Sequence, residues 1–187
     1  MQISNVLLVL SYVKFVFGCG SYVSHDQTPF CNAVYAVVGT VQSSWESDFE
    51  SSFRIQVATN IKGAVPSRGG IITVSGTGRM HSCGPTRLTR NKAYVLYLSV
   101  DDDSPYKLRI IEKEEYSFST LQRIWNYDCS CKIEINLPQQ SVPNSGILAR
   151  DKCVITEREL GCTFQNGYCT RRNSRNVCQW VPGVSNC

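Results

Sequence analysis

The chain has 187 residues, 42% of them hydrophobic and 18% charged, with a formal net charge of +4. That length allows one large domain, or one domain with a small appendage, and the composition is that of a globular protein, which argues against disorder. A charge of +4 is far too small for a dedicated nucleic-acid binder, so no nucleic-acid partner is expected.

The chain opens on an apolar run from Asn5 to Val13, too short to span a bilayer, followed by Lys14. This reads as the core of a signal peptide, with Val16 and Gly18 as small residues at the −3 and −1 positions of a cut before Cys19. Residues 1–18 are therefore expected to be removed. No later segment is apolar enough for a membrane, so a secreted, soluble monomer in the extracellular space or matrix is expected, without a membrane partner. The ten cysteines (Cys19, Cys31, Cys83, Cys129, Cys131, Cys153, Cys162, Cys169, Cys178 and Cys187) agree with an oxidising compartment and disulfides.

Beyond Cys31 the sequence predicts strands at Ala33–Val41, Phe53–Ile61, Ile71–Val74, Ala93–Val100 and Tyr106–Ile111, each rich in Val, Ile or Tyr. Turn chemistry separates them: Gly63 to Gly70 with Pro66, then Gly84-Pro85, then Asp101 to Pro105. Asp101 to Asp103 reads as a turn, since the alternating ligand spacing of a calcium loop is missing. The expected fold class is mainly β, a five-stranded OB-like barrel with short helices. Ser119-Thr-Leu-Gln122 fits a capping box, with Leu121, Ile124 and Trp125 on one helical face. Pro138 to Gly146 reads as a linker, and five cysteines fall in the last 35 residues. Such a segment has too little apolar surface to fold by packing alone, so a small disulfide-rich C-terminal subdomain is expected. The expected division is 1–18, 19–133 and 134–187.

Catalytic motifs are sparse. Only His25 and His81 could serve a nucleophilic triad, and neither a Gly-x-Ser-x-Gly elbow nor a His-Glu-x-x-His motif occurs, so no enzyme is expected. Cys129-Ser-Cys131 lacks the two-residue gap of a zinc knuckle and reads as half-cystines. Arg150, Lys152, Arg171, Arg172 and Arg175 could bind heparan sulfate or matrix, diluted by Asp151, Glu157 and Glu159.

The spacing Cys19-x11-Cys31-Asn-Ala continues with Val38-Gly-Thr-Val41, Ile61-Lys-Gly63, Cys83-Gly84, Lys92-x-Tyr94-x-Leu96 and Cys129-Ser-Cys131-Lys-Ile133. It resembles the tissue inhibitors of metalloproteinases, which carry a netrin-type domain. The segment His25-x-Gln27-x-x-Phe30-Cys31-Asn32-Ala33 is especially similar. The resemblance runs from Cys19 to about Pro182, most closely as far as Ile133. It implies the pairs Cys19–Cys83, Cys31–Cys129, Cys131–Cys178 and Cys153–Cys169, which leaves Cys162 with Cys187. The chain departs from the family pattern at Ser21, where the family has a second cysteine. The expected partner of that cysteine, around Leu108 to Glu112, is absent too, so both halves of one bridge are missing together.

The resemblance further implies a function: inhibition of zinc metalloendopeptidases of matrix or adamalysin type. The α-amino nitrogen and carbonyl oxygen of the mature terminal Cys19 would chelate the catalytic zinc of the target, and no cofactor of its own is expected. Gly20, Ser21, Tyr22 and the segment Met80-His81-Ser82-Cys83 would contact the protease. The alternative is a non-inhibitory netrin-type binding module in matrix or innate-immune signalling.

Overall fold

A computed structural model describes residues 24–65, 69–101, 104–136, 150–156, 161, 165–171 and 176–181. Within it a short helix α1 (Gln27–Asn32) precedes β1 (Tyr35–Glu46), β2 (Glu50–Lys62), β3 (Ile71–Thr77), β4 (Ala93–Asp101) and β5 (Ser104–Glu115). These five strands close into a barrel in the order β1-β2-β3-β5-β4. All pairs are antiparallel except β3–β5.

All five expected strands exist, and each expected interval is too short or offset. β1 continues through Gln42–Glu46, which is exposed throughout, because the antiparallel ladder to β2 holds these polar residues beyond the core. β5 likewise extends to Glu115 on its pairing with β4. The β1–β2 ladder carries three register shifts, at Ala36/Val37, Val38/Gly39 and Val41/Ser43. Such bulges bend and coil a strand, as closure requires.

Val37, Val41, Phe53, Ile55, Val74, Leu96, Leu98 and Leu108 fill the barrel. The alternate residues Ala36, Val38, Val95 and Tyr97 face a second cluster with Phe30, Ala33 and Ile124. β1 and β4 are thus buried on both faces at their centre, which is why they read as unbroken apolar runs.

α1 was not expected from the sequence. It is six residues long with Pro29 in its first turn, where the missing N–H costs nothing. The second helix, α2 (Phe118–Ile124), is capped by Ser117, whose Oγ accepts from the Thr120 amide at 3.0 Å. This corrects the expected box at Ser119–Gln122: Ser117, not Ser119, has the extended backbone that turns its hydroxyl back onto the third helical N–H. Trp125 lies past the last turn and is 58% exposed, so it leaves the buried face that Ile124 occupies.

The C-terminal part pairs β6 (Lys132–Asn136) with β7 (Lys152–Thr156) in parallel, and β8 (Tyr168–Thr170) with β9 (Gln179–Val181) antiparallel. The expected boundary between 133 and 134 falls within β6, which pairs with β7 and so belongs to the C-terminal part. Cys131–Cys178 and Cys153–Cys169 form its core, with Ile133 and Trp180 packed against them. Cys31–Cys129 spans 98 residues and encloses all five barrel strands. A covalent loop of that length restricts the unfolded chain by about 4–5 kcal/mol. The Cys162–Cys187 pair and the expected linker at 138–146 lie outside the described residues.

Gln27 is one of the side chains that join the two parts. It is 1% exposed; its Nε2 donates to the carbonyls of Cys169 (2.9 Å) and Asp128 (3.1 Å), and its Oε1 accepts from the Cys169 amide at 2.8 Å. Truncating it orphans buried backbone groups on both sides of the junction. Gln27→Ala is expected to cost about 2–4 kcal/mol, read as a lowered urea midpoint; an unchanged midpoint would show that water replaces the carboxamide.

Candidate functional site

The segment after β3 is laid across the tip of the β1–β2 hairpin. The amides of Gly78, Arg79 and Met80 donate to the carbonyls of Phe49 (3.1 Å), Ser47 (3.1 Å) and Asp48 (2.8 Å). The Arg79 guanidinium sits 2.8 Å from Asp48, and Ser47 Oγ closes the hairpin tip by accepting from the Glu50 amide at 3.0 Å. Gly78 permits the close approach: a Cβ there would stand 2.3 Å from both Glu50 N and Phe49 C.

Met80, His81, Ser82 and Cys83 then form one exposed turn. The Gly84 amide donates to the His81 carbonyl at 2.7 Å, and the Cys83 amide to His81 Nδ1 at 3.2 Å. The accepting Nδ1 places the proton of the neutral imidazole on Nε2. At the base of the turn, Thr77 Oγ1 donates to the Gly84 carbonyl at 2.9 Å, and the Thr77 amide donates to Thr86 Oγ1 at 2.9 Å. Four of the eight residues expected to contact a protease, Met80 to Cys83, therefore lie on a loop fixed at both ends. Cys19, Gly20, Ser21 and Tyr22 lie outside the described residues.

Cys83 is disulfide-bonded. The other six described cysteines pair among themselves, so its partner lies outside the described residues, among Cys19, Cys162 and Cys187. The sequence also missed Trp45 and Phe49, which are 62% and 83% exposed on the hairpin whose tip is bonded to residues 78–80; Met80 is 72% exposed. The signal was available: an aromatic at each end of the polar turn Glu46-Ser-Asp48. Three large apolar side chains exposed on two hydrogen-bonded segments are the kind of surface that a partner covers.

Other expected chemistry resolves differently. His25 is 2% exposed, accepts from the Gln27 amide at Nδ1 (3.1 Å) and meets Trp180 edge-on at 5.0 Å, a packing role. The sulfurs of Cys131, Cys169 and Cys178 lie within 4.8 Å of one another, but each is already half of a disulfide and offers no thiolate to a metal. Of the basic residues near the C terminus, Lys152 pairs with Glu134 at 2.7 Å and the Arg171 guanidinium donates to the Ser130 carbonyl at 3.2 Å. Arg172 and Arg175 lie outside the described residues.

A second polar constellation sits where the barrel meets the C-terminal part. Arg123 Nη2 donates to both Asp26 Oδ2 and Glu114 Oε2, its Nε donates to the Tyr127 hydroxyl at 2.9 Å, and its Nη1 donates to the Gln165 carbonyl at 2.5 Å. Tyr127 donates to Asp26 at 2.6 Å and Tyr97 to Glu114 at 2.8 Å. Burial, reinforced by Asp26, pushes the Glu114 carboxyl up to about 7, and burial also drives both phenols well above their ordinary range.

The ladder between the hairpin tip and the turn gives a direct test. Gly78→Ala drives a methyl into backbone atoms and is expected to cost about 1–3 kcal/mol, with new proteolytic cutting at 47–50. Wild-type stability and an uncut hairpin would show that the ladder does not hold the turn. No protein-family model matches this sequence, and no curated protein matches it.

Proposed function

We propose that this chain is a secreted protein inhibitor of zinc metalloendopeptidases, similar in mode to the tissue inhibitors of metalloproteinases. The observation that carries the reading is the exposed Met80–Cys83 turn, hydrogen-bonded at both ends to a closed five-stranded barrel and ending in a disulfide-bonded Cys83. A bridge from Cys83 to Cys19 would tether the mature amino terminus to this rigid edge and lower the ordering cost of binding. The oxidising compartment required by the three described disulfides agrees with export and removal of residues 1–18.

The chemistry belongs to the terminus itself. A catalytic zinc keeps one position for water or substrate, and an α-amine with a pKa of about 7.7–8.0 can bind it in neutral form near physiological pH. The carbonyl oxygen of the same residue completes a chelate and displaces the water. Trp45, Phe49 and Met80 supply apolar area on the turn and on the hairpin bonded to its base. Gly20 would leave the pocket next to the zinc unfilled. Burying a medium apolar side chain there is worth roughly 1.5–3 kcal/mol, or about ten- to a hundredfold in affinity. Targets with shallower pockets, of adamalysin type, are therefore favoured over deep-pocket matrix enzymes.

A second reading, a non-inhibitory extracellular binding module, draws on α2. Phe118 opens α2 and Trp125 follows its last turn, and they are 64% and 58% exposed.

Titrating the secreted protein against a panel of zinc proteinases, beside a variant carrying one extra N-terminal alanine, separates the two readings. The amine cannot chelate once acylated, so the extended form is expected to lose at least a hundredfold in affinity. Equal inhibition by both forms rules out chelation, and no inhibition by either favours the binding module. Gly20→Thr is expected to strengthen inhibition of deep-pocket enzymes about ten- to a hundredfold; unchanged constants across both protease groups would sink the selectivity argument.

A further inference from the structure

Arg123 faces two carboxylates at a point where four chain segments meet. Asp26 precedes α1, Glu114 is on β5, Arg123 is on α2, and the Gln165 carbonyl belongs to the C-terminal part. The side chains are largely shielded, with Arg123 at 13%, Asp26 at 16% and Glu114 at 21% exposure. One guanidinium nitrogen serves both carboxylates, so with both ionised the group carries an excess negative charge away from bulk water.

We infer that Asp26, Glu114 and Arg123 form a proton-operated latch between the barrel and the cysteine-rich C-terminal part, which tightens when the two carboxylates take up one proton and loosens when they lose it. A shared proton removes the excess charge and lets one carboxyl donate to the other while Arg123 keeps its bond to Gln165. Its loss sets two partly shielded like charges against each other, at the base of α1 and on β5. Asp26 adjoins Gln27, whose carboxamide holds Cys169, so repulsion there is transmitted to the same junction.

Among the described residues, the other groups around the latch have identifiable roles. Tyr97 on β4 and Tyr127 after α2 are held protonated by burial and act as fixed donors. His25 Nδ1 lies 3.1 Å from Asp26 Oδ1 while accepting from the Gln27 amide. Asp128 is committed to Ser130 and the Arg171 amide, which hold its carboxylate below the usual range. Gln165 and Asn166 line the adjoining cavity and do not titrate.

The sign follows from linkage. Glu114 holds its proton up to about pH 7 in the closed junction, against an ordinary value of 4.5. A raised folded-state value means that the stabilisation is complete below the ordinary value and is lost as pH rises through about 7. One proton linked in this way makes opening of the junction about tenfold rarer at pH 6 than at pH 8.

This inference does not rest on protease inhibition, and its test uses none. The readout is hydrogen exchange of the Cys169 amide in the full-length secreted protein, corrected for the intrinsic pH dependence of exchange. Protection should rise about tenfold from pH 8 to pH 6. Glu114→Gln should show the acid-like protection at both pH values, with a change below twofold. Flat protection in the wild type, or a tenfold change that survives Glu114→Gln, overturns the latch; the second result would assign the proton to another group such as His25. If the variant fails to fold, carbon-detected titration of the Glu114 carboxyl in the wild type decides. A midpoint near 7 supports the latch, and one near 4.5 removes it.

Discussion

The ladder between β1 and β4, from Tyr35–Leu98 to Thr40–Ala93, turns a sheet into a barrel. Without it β1 and β4 would be edges, each presenting unpaired backbone donors and acceptors. Its closure also sets the burial of both strands on two faces. The inner residues fill the barrel, and the outer ones, Ala36, Val38, Val95 and Tyr97, become the floor on which α1 and α2 rest. Everything outside the barrel depends on that floor. Phe30 packs edge-on against Tyr97 at 5.7 Å and against Tyr127 at 5.4 Å, and this holds α1 where Asp26 can meet Arg123 and Gln27 can reach Cys169.

The strands were legible because their centres carry local signals, with Val, Ile and Tyr in runs bounded by Gly, Pro and Asp. Their ends were not. Gln42 to Glu46 is polar on both faces and owes its extended form to the partner strand, which no local pattern records. α1 escaped notice because six residues with a proline give too little periodicity, although Asp26 ahead of Thr-Pro is a recognisable start. Ser117 and Ser119 flank Phe118 and either could cap; the backbone angle at Ser117 decides between them.

The candidate site divides along the same line. The turn from Met80 to Cys83 stands out in the sequence between Gly78 and Gly84-Pro85. That its base is stitched to a hairpin tip some thirty residues upstream is a tertiary fact. Phe49 and Trp45 could be seen as aromatics in a polar stretch, but only the ladder ties the hairpin that carries them to the base of the turn. The Asp26–Arg123 contact spans 97 residues, and the cluster around it combines elements from both ends of the chain. Sequence spacing could suggest each residue and not their convergence.

The Cys31–Cys129 bond has a consequence for survival among proteases. It ties the chain just ahead of the first barrel strand to the chain just after α2, so all five strands lie on a covalent ring. A single cut within that ring, at the exposed Ser47–Glu50 tip for instance, converts the ring into an open chain without releasing a fragment. The nicked barrel keeps every strand at high effective concentration and stays closed by its own ladders. The exposed tip of the β1–β2 hairpin thus lies inside a loop where one scission is mechanically silent.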